Sequence, residues 1–148
     1  MSEHRSCIEW QRGDAVFEYE SYSRNHTWHF ENGLRVEASA APDFLGDAAR
    51  VDPEQALVAS ISSCHMLTFL ALAARKRWVV ECYRDAAVGT LEKNADGKLA
   101  VTRVVLHPEI EFAGEAPSAD QLAKAHHKAH EHCFVANSVR TQIDVEPA

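Results

Sequence analysis

The stretch Asp52-Pro53-Glu54-Gln55-Ala56-Leu57-Val58-Ala59-Ser60-Ile61-Ser62-Ser63-Cys64 decides the fold. Asp52 can accept a backbone hydrogen bond as N-cap, Pro53 suits the first helical position because it has no amide proton to lose, and Gln55 completes a capping box. The predicted helix runs to about Lys76, and its apolar residues lie all around it, which calls for burial on most sides. From Ala56 to Ala74 there is no Asp, Glu, Lys or Arg, and Arg75, Lys76 and Arg77 follow, so the segment imitates a membrane span. Ser60, Ser62, Ser63, Cys64, His65 and Thr68 crowd its middle, however, and hydrocarbon would penalise them. A central helix covered by sheet is the better reading, and no membrane partner is expected.

Working outward, residues 42 to 51 read as a loop, and residues from about 14 to 40 as a meander of antiparallel strands. Phe17 and Tyr19 alternate with Glu18 and Glu20, and Trp28 and Phe30 flank His29. Glu31-Asn32-Gly33 supplies a tight turn before Leu34, Val36 and Ala38. After the helix, Val80, Cys82, Ala86 and Val88 share one face of a strand, and Val104, Leu106, Ile110 and Phe112 one face of another, with the turn at Asn94 to Gly97. Ser118 and Gln121 form a second capping box, opening a helix whose stripe is Leu122, Ala125, Ala129 and then His132 or Cys133. Val139, Ile143 and Val145 suggest a last short strand. The order strands, helix, strands, helix, strand argues α+β with a mainly antiparallel sheet. One sheet can cover only one side of so apolar a helix, so a homodimer is expected.

The composition, 46% hydrophobic and 25% charged over 148 residues, is that of one soluble globular domain. A formal net charge of −7 argues against nucleic acid, because gripping phosphates needs clustered Lys and Arg. Met1 to Trp10 carries Glu3, Arg5 and Glu9 and no apolar stretch, so a reducing, cytoplasmic setting is expected.

Cysteines stand at positions 7, 64, 82 and 133 with no CxxC pair, so zinc-ribbon and thioredoxin spacings are both absent. Buried free cysteine usually packs as a small hydrophobe, and Cys64 alone reads that way. Cys133 changes the weighing. It lies eleven residues past Leu122, close to three helical turns, on the buried face of the second helix. Two facing helices could bring the sulfurs within the ~5.5 to 6 Å Cα spacing that a disulfide requires.

The run from Asp52 to Cys64 resembles the (Asn/Asp)-Pro-Glu-(Gln/Glu) helix of the OsmC/Ohr family, with its first cysteine at the same distance after the Glu. Ala129-His130-Glu131-His132-Cys133-Phe134-Val135-Ala136-Asn137 resembles that family's second-cysteine motif. The resemblance extends over nearly the whole chain and implies a single domain, residues 1–148, with antiparallel sheets around a long central helix in an intertwined homodimer. It implies a thiol peroxidase of the osmotically inducible and organic hydroperoxide resistance type, an antioxidant oxidoreductase of oxidative stress with a redox-active disulfide. No cofactor is implied beyond an external thiol or dithiol reductant. Carried over residue by residue, Cys64 matches the peroxidatic cysteine, Cys133 the resolving cysteine, and Glu54 the carboxylate that holds a catalytic Arg. Arg24 is assigned as that Arg because its distance to Pro42 resembles the spacing in Ohr-type sequences. Arg50 is the second choice and Arg35 the third. The chain departs from the family pattern at His65, where an aromatic is common, and at Phe134, where the Ohr branch has Pro.

The chemistry asks for these residue types. Only a thiolate attacks a peroxide oxygen well, and a guanidinium, which cannot lose its proton, favours the thiolate. The resulting sulfenic acid condenses with a second thiol before overoxidation. Glu54 and Cys64 stand ten residues apart, about 15 Å along one helix, so the carboxylate is expected from a folded-back loop or from the other subunit.

Two further readings stay beside this one. His126, His130 and Cys133 share a helical face and form a possible metal triad, though a solvated face with one buried His accounts for the same spacing. A non-enzymatic protein on the same fold, holding a small ligand or a metal, is the alternative function. His65 reads as a packing residue, Cys7 as part of a mobile N-terminus, Cys82 as structural within a strand, and Trp28 and Trp78 as core or pocket wall.

Overall fold

The computed structural model describes residues 1–148 and divides into two compact units, Met1–Ala56 and Leu57–Ala148.

In the first unit, β1 (Ser6–Glu9), β2 (His26–Phe30) and β3 (Arg35–Ala38) form an antiparallel sheet in the order β1-β2-β3. The β2–β3 hairpin is the one expected at Asn32-Gly33. Gly33 takes a φ of 79°, and the Asn32 side chain accepts the Leu34 amide at 3.0 Å. The strand expected at Phe17 and Tyr19 does not form. Phe17 lies in irregular chain and Tyr19 in a turn, and Trp10, Phe17 and Tyr22 pack ring against ring with centroids 5.2 to 6.1 Å apart. The third strand is instead β1, which places Cys7 in a paired strand opposite His29. After β3 the chain turns tightly. A Cβ on Gly46 would fall 1.6 Å from the Ala40 carbonyl oxygen, so only glycine permits this approach.

α1 (Pro53–Arg75) begins here and continues through the second unit. Its capping box is formed as expected: the Gln55 amide donates to Asp52 Oδ1 at 2.8 Å and the Asp52 amide donates to Gln55 Oε1 at 3.2 Å. Only one stripe of α1 is fully buried, Ile61, His65, Phe69 and Ala73 at successive four-residue steps, while Leu67 is 61% exposed. The cover expected on most sides is therefore not supplied within the chain. By length and composition α1 could cross a membrane, a test that the core helix of a soluble protein also passes.

In the second unit, the two long strands expected between residues 80 and 112 are four. They are β4 (Val80–Asp85), β5 (Val88–Lys93), β6 (Leu99–Leu106) and β7 (Pro108–Phe112). β4 pairs with β7 in one two-stranded sheet, and β5, β6 and β8 (Gln142–Val145) form another. The β6–β8 pair is parallel and the other pairs are antiparallel. The break falls where Asp85 Oδ1 accepts the His107 amide at 2.7 Å, pinning both ribbons at the point where they change partners. α2 (Ala119–His132) opens on the Ser118–Gln121 capping box and ends with Cys133 as its C-cap.

Two apolar clusters flank His65 along α1. Ile61 packs with Val104 and Leu106 of β6, and Phe69 and Ala73 pack with Ala125 and Ala129 of α2. Each fully buried large side chain here contributes about 1.5–3 kcal/mol.

Candidate active site

α1 and α2 pack through Phe69, Ala73, Ala125 and Ala129, and the two cysteines lie on these same elements, Cys64 on α1 and Cys133 at the end of α2. Cys64 is half-buried on α1, and Cys133 is 1% exposed at the end of α2. Cys133 lies near enough to Cys64 for its thiol to feel the other, and no disulfide joins them. Burial first, and then the neighbouring Cys64 thiol, push the Cys133 thiol up to about 11, while amides including that of Ala136, 3.4 Å from its sulfur, work the other way.

Cys64 opens into a groove of about 800 Å³ between the helices. Its apolar lining includes Leu67, Ala71, Leu72 and Phe134. Arg75, Lys76, Lys124 and Lys128 add four cationic side chains to the lining. The sequence reading missed Lys124 and Lys128. They stand four residues apart on one face of α2, and their spacing alone carries no sign that the face borders a cysteine.

Arg24 and Glu54 belong to the first unit, where both line a cavity of about 530 Å³ with Trp10, Phe17 and Tyr22. The Arg24 guanidinium is half-buried. It donates to the Tyr22 carbonyl at 2.6 Å and to the Tyr19 carbonyl, and lies 3.7 Å from the centre of the Tyr22 ring. No ion pair joins it to Glu54. Arg50, the second choice, faces Asp47 at 3.7 Å and Glu37 at 3.8 Å. Arg35, the third, sits on β3 opposite His29.

The histidines sort as burial dictates. His126 is buried, His130 is half-buried, and His127 and His132 are exposed. No three His, Cys, Asp or Glu side chains converge as metal ligands, so the His126, His130 and Cys133 triad is not assembled. His65 packs inward as read, but it also meets His126, with Nε2 and Nδ1 3.1 Å apart. Burial first, then His126 and His130, lower the His65 imidazole to about 4, against a small opposing pull from Asp85. Burial also lowers His126.

A family model described as OsmC-like protein matches residues 46–148. The chain belongs to the OsmC family. Among solved structures, an OsmC-like protein of unknown function from Vibrio cholerae is 50% identical over the full length of both chains, with a TM-score of 0.96. An organic hydroperoxide resistance protein OsmC from Legionella pneumophila is 18% identical, with 99% of this chain and 97% of that one covered and a TM-score of 0.71. One from Elizabethkingia anophelis, also 18% identical, covers 99% and 94% with a TM-score of 0.73. The last two share the OsmC fold. A search of curated proteins finds no match.

Proposed function

We propose that this OsmC-family chain is a thiol-dependent peroxidase that reduces organic hydroperoxides. The observation that carries the reading is the proximity of the Cys64 and Cys133 thiols, with Cys64 lining a largely apolar groove. Family membership supports it, as do the organic hydroperoxide resistance proteins that share the fold.

In this reading the Cys64 thiolate attacks the outer oxygen of ROOH. The O–O bond breaks, ROH leaves after taking up a proton, and Cys64 becomes a sulfenic acid. Cys133 then attacks that sulfur, its thiol proton leaving with the hydroxyl as water, and a Cys64–Cys133 disulfide forms. Two equivalents of external thiol, or one dithiol, return the pair to the reduced state. Arg24, which lines one cavity with Glu54, supplies the fixed positive charge that favours the thiolate. A homodimer covers the exposed side of α1 and brings Arg24 and Glu54 of one copy to the Cys64 of the other.

The test is a thiol count. Reduced protein mixed with one equivalent of an alkyl hydroperoxide loses two thiols per chain, and Cys64→Ser abolishes that loss. Retention of all four thiols by the native chain, or an undiminished loss in Cys64→Ser, overturns the reading.

A further inference from the structure

We propose that the buried His65–His126 hydrogen bond is the positioning element that holds Cys133 against Cys64. This rests on the reading of those cysteines as a redox pair. Apart from it, the faces of α1 and α2 meet through Phe69, Ala73, Ala125 and Ala129, whose packing is non-directional and tolerates small slides. A hydrogen bond does not, because it weakens steeply with angle and distance. The His65–His126 bond, at 3.1 Å, is the side-chain hydrogen bond that joins the two helices.

Its placement ties it to both sulfurs. His65 follows Cys64 directly, and its own packing between the two apolar clusters fixes the rotation of α1 at that turn. His126 lies seven residues before Cys133, nearly two helical turns, so setting the rotation of α2 at His126 sets it at the cysteine. The two imidazole planes lie within 8° of each other with centroids 5.4 Å apart, so the rings meet edge to edge as an in-plane hydrogen bond requires, and Phe69 covers a face of His126 with its ring centroid 4.6 Å away. Both histidines are at most 3% exposed, so water cannot replace the bond.

The direction of the bond follows from its surroundings. His65 Nδ1 is buried with no partner. A lone pair left unpaired there costs less than an N–H left unpaired, so Nδ1 carries the lone pair and His65 Nε2–H donates to His126 Nδ1. That assignment specifies which substitutions preserve the bond. Glutamine at position 65 puts an amide N–H near the Nε2 site, and asparagine at position 126 puts an acceptor oxygen near the Nδ1 site.

The experiment is a redox titration in glutathione buffers, in a Cys7→Ser/Cys82→Ser background so that only the two helical thiols respond. Oxidised glutathione takes two electrons from the pair, giving the Cys64–Cys133 disulfide and two reduced glutathiones. The equilibrium constant reads their juxtaposition whether or not the protein reduces peroxides. His126→Leu and the double variant His65→Leu/His126→Leu are expected to lower it tenfold or more, about 30 mV. His126→Asn and His65→Gln are expected to stay within about threefold of the native value, as is His127→Ala at an exposed neighbour. If the leucine variants do not fold, His126→Asn against His126→Gln, whose amide reaches one bond further, decides the matter in the same way. A native constant in the leucine variants, or equal losses in the Asn and Leu variants or in the Asn and Gln variants, overturns the inference. A native chain that never closes the disulfide overturns it together with the redox reading beneath it.

Discussion

Cys133 is held as a buried thiol beside Cys64, a more exposed thiol that lines a groove. The two sulfurs therefore meet reagents on different terms. A thiol pushed up to about 11 carries almost no thiolate at pH 8, and a 1% exposed sulfur is screened as well. Iodoacetamide at pH 8 is expected to label Cys133 on the order of 100-fold more slowly than exposed Cys7 and Cys82 in the reduced native protein. Peptide mass spectrometry over a time course measures this, and labelling of Cys133 at the surface rate would contradict its burial.

The buried histidine pair predicts acid sensitivity, and the sign follows from where each state takes up its proton. In the unfolded chain His65 titrates near its ordinary value of 6.5, and in the native state at about 4. Its contribution is therefore complete above pH 6.5 and is lost as the pH falls from 6.5 toward 4, because the unfolded state binds the proton first. The loss amounts to about 3 kcal/mol at most. Urea denaturation from pH 7 to pH 4 is expected to show it, and His65→Leu/His126→Leu should flatten the decline. Equal slopes in the two proteins would mean that other groups carry the acid sensitivity.

Features settled by neighbours in sequence were legible before the structure. Both capping boxes, at Asp52 and Gln55 and at Ser118 and Gln121, and the Asn32-Gly33 turn depend on residues within four positions of one another. The approach of Cys133 to Cys64 was legible only as a possibility, because it depends on two helices packing through alanines. The alternation at Phe17 to Glu20 misled because the same residues satisfy their apolar surface by stacking locally on Trp10 and Tyr22. The interruption of the strands at Asp85 and His107 was hidden because its cause is a hydrogen bond between residues 22 positions apart. The His65–His126 contact was hidden in the same way, since His126 stands among three other histidines that face outward or partly so.

Phe69 joins the halves of this interior, packing on Ala125 and Ala129 and stacking on His126. Its side chain is fully buried, so Phe69→Ala is expected to cost about 3–5 kcal/mol through lost burial and the cavity left behind. Leu67→Ala, two residues away on the other side of α1 and 61% exposed, should cost far less in a separated chain. Urea titrations of both variants at low protein concentration test the contrast, and comparable losses would mean that Leu67 is covered in solution.

The exposed side of α1 carries Leu67, Ala71 and Ala74, apolar residues that the proposed dimer would cover. The native chain is then expected to sediment at twice its 16.5 kDa mass. A carboxylate at Leu67 would be desolvated without a partner, so Leu67→Glu should release the 16.5 kDa chain. The stronger test uses two inactive variants, Cys64→Ser and Glu54→Gln, refolded together. If each site takes Cys64 from one chain and Glu54 from the other, half of the dimers are mixed and each mixed dimer has one intact site. Peroxidase activity should then return to about a quarter of the native level. If Glu54 serves the Cys64 of its own chain, every site in the mixture lacks one of the two groups and the activity stays at the level of the separate variants.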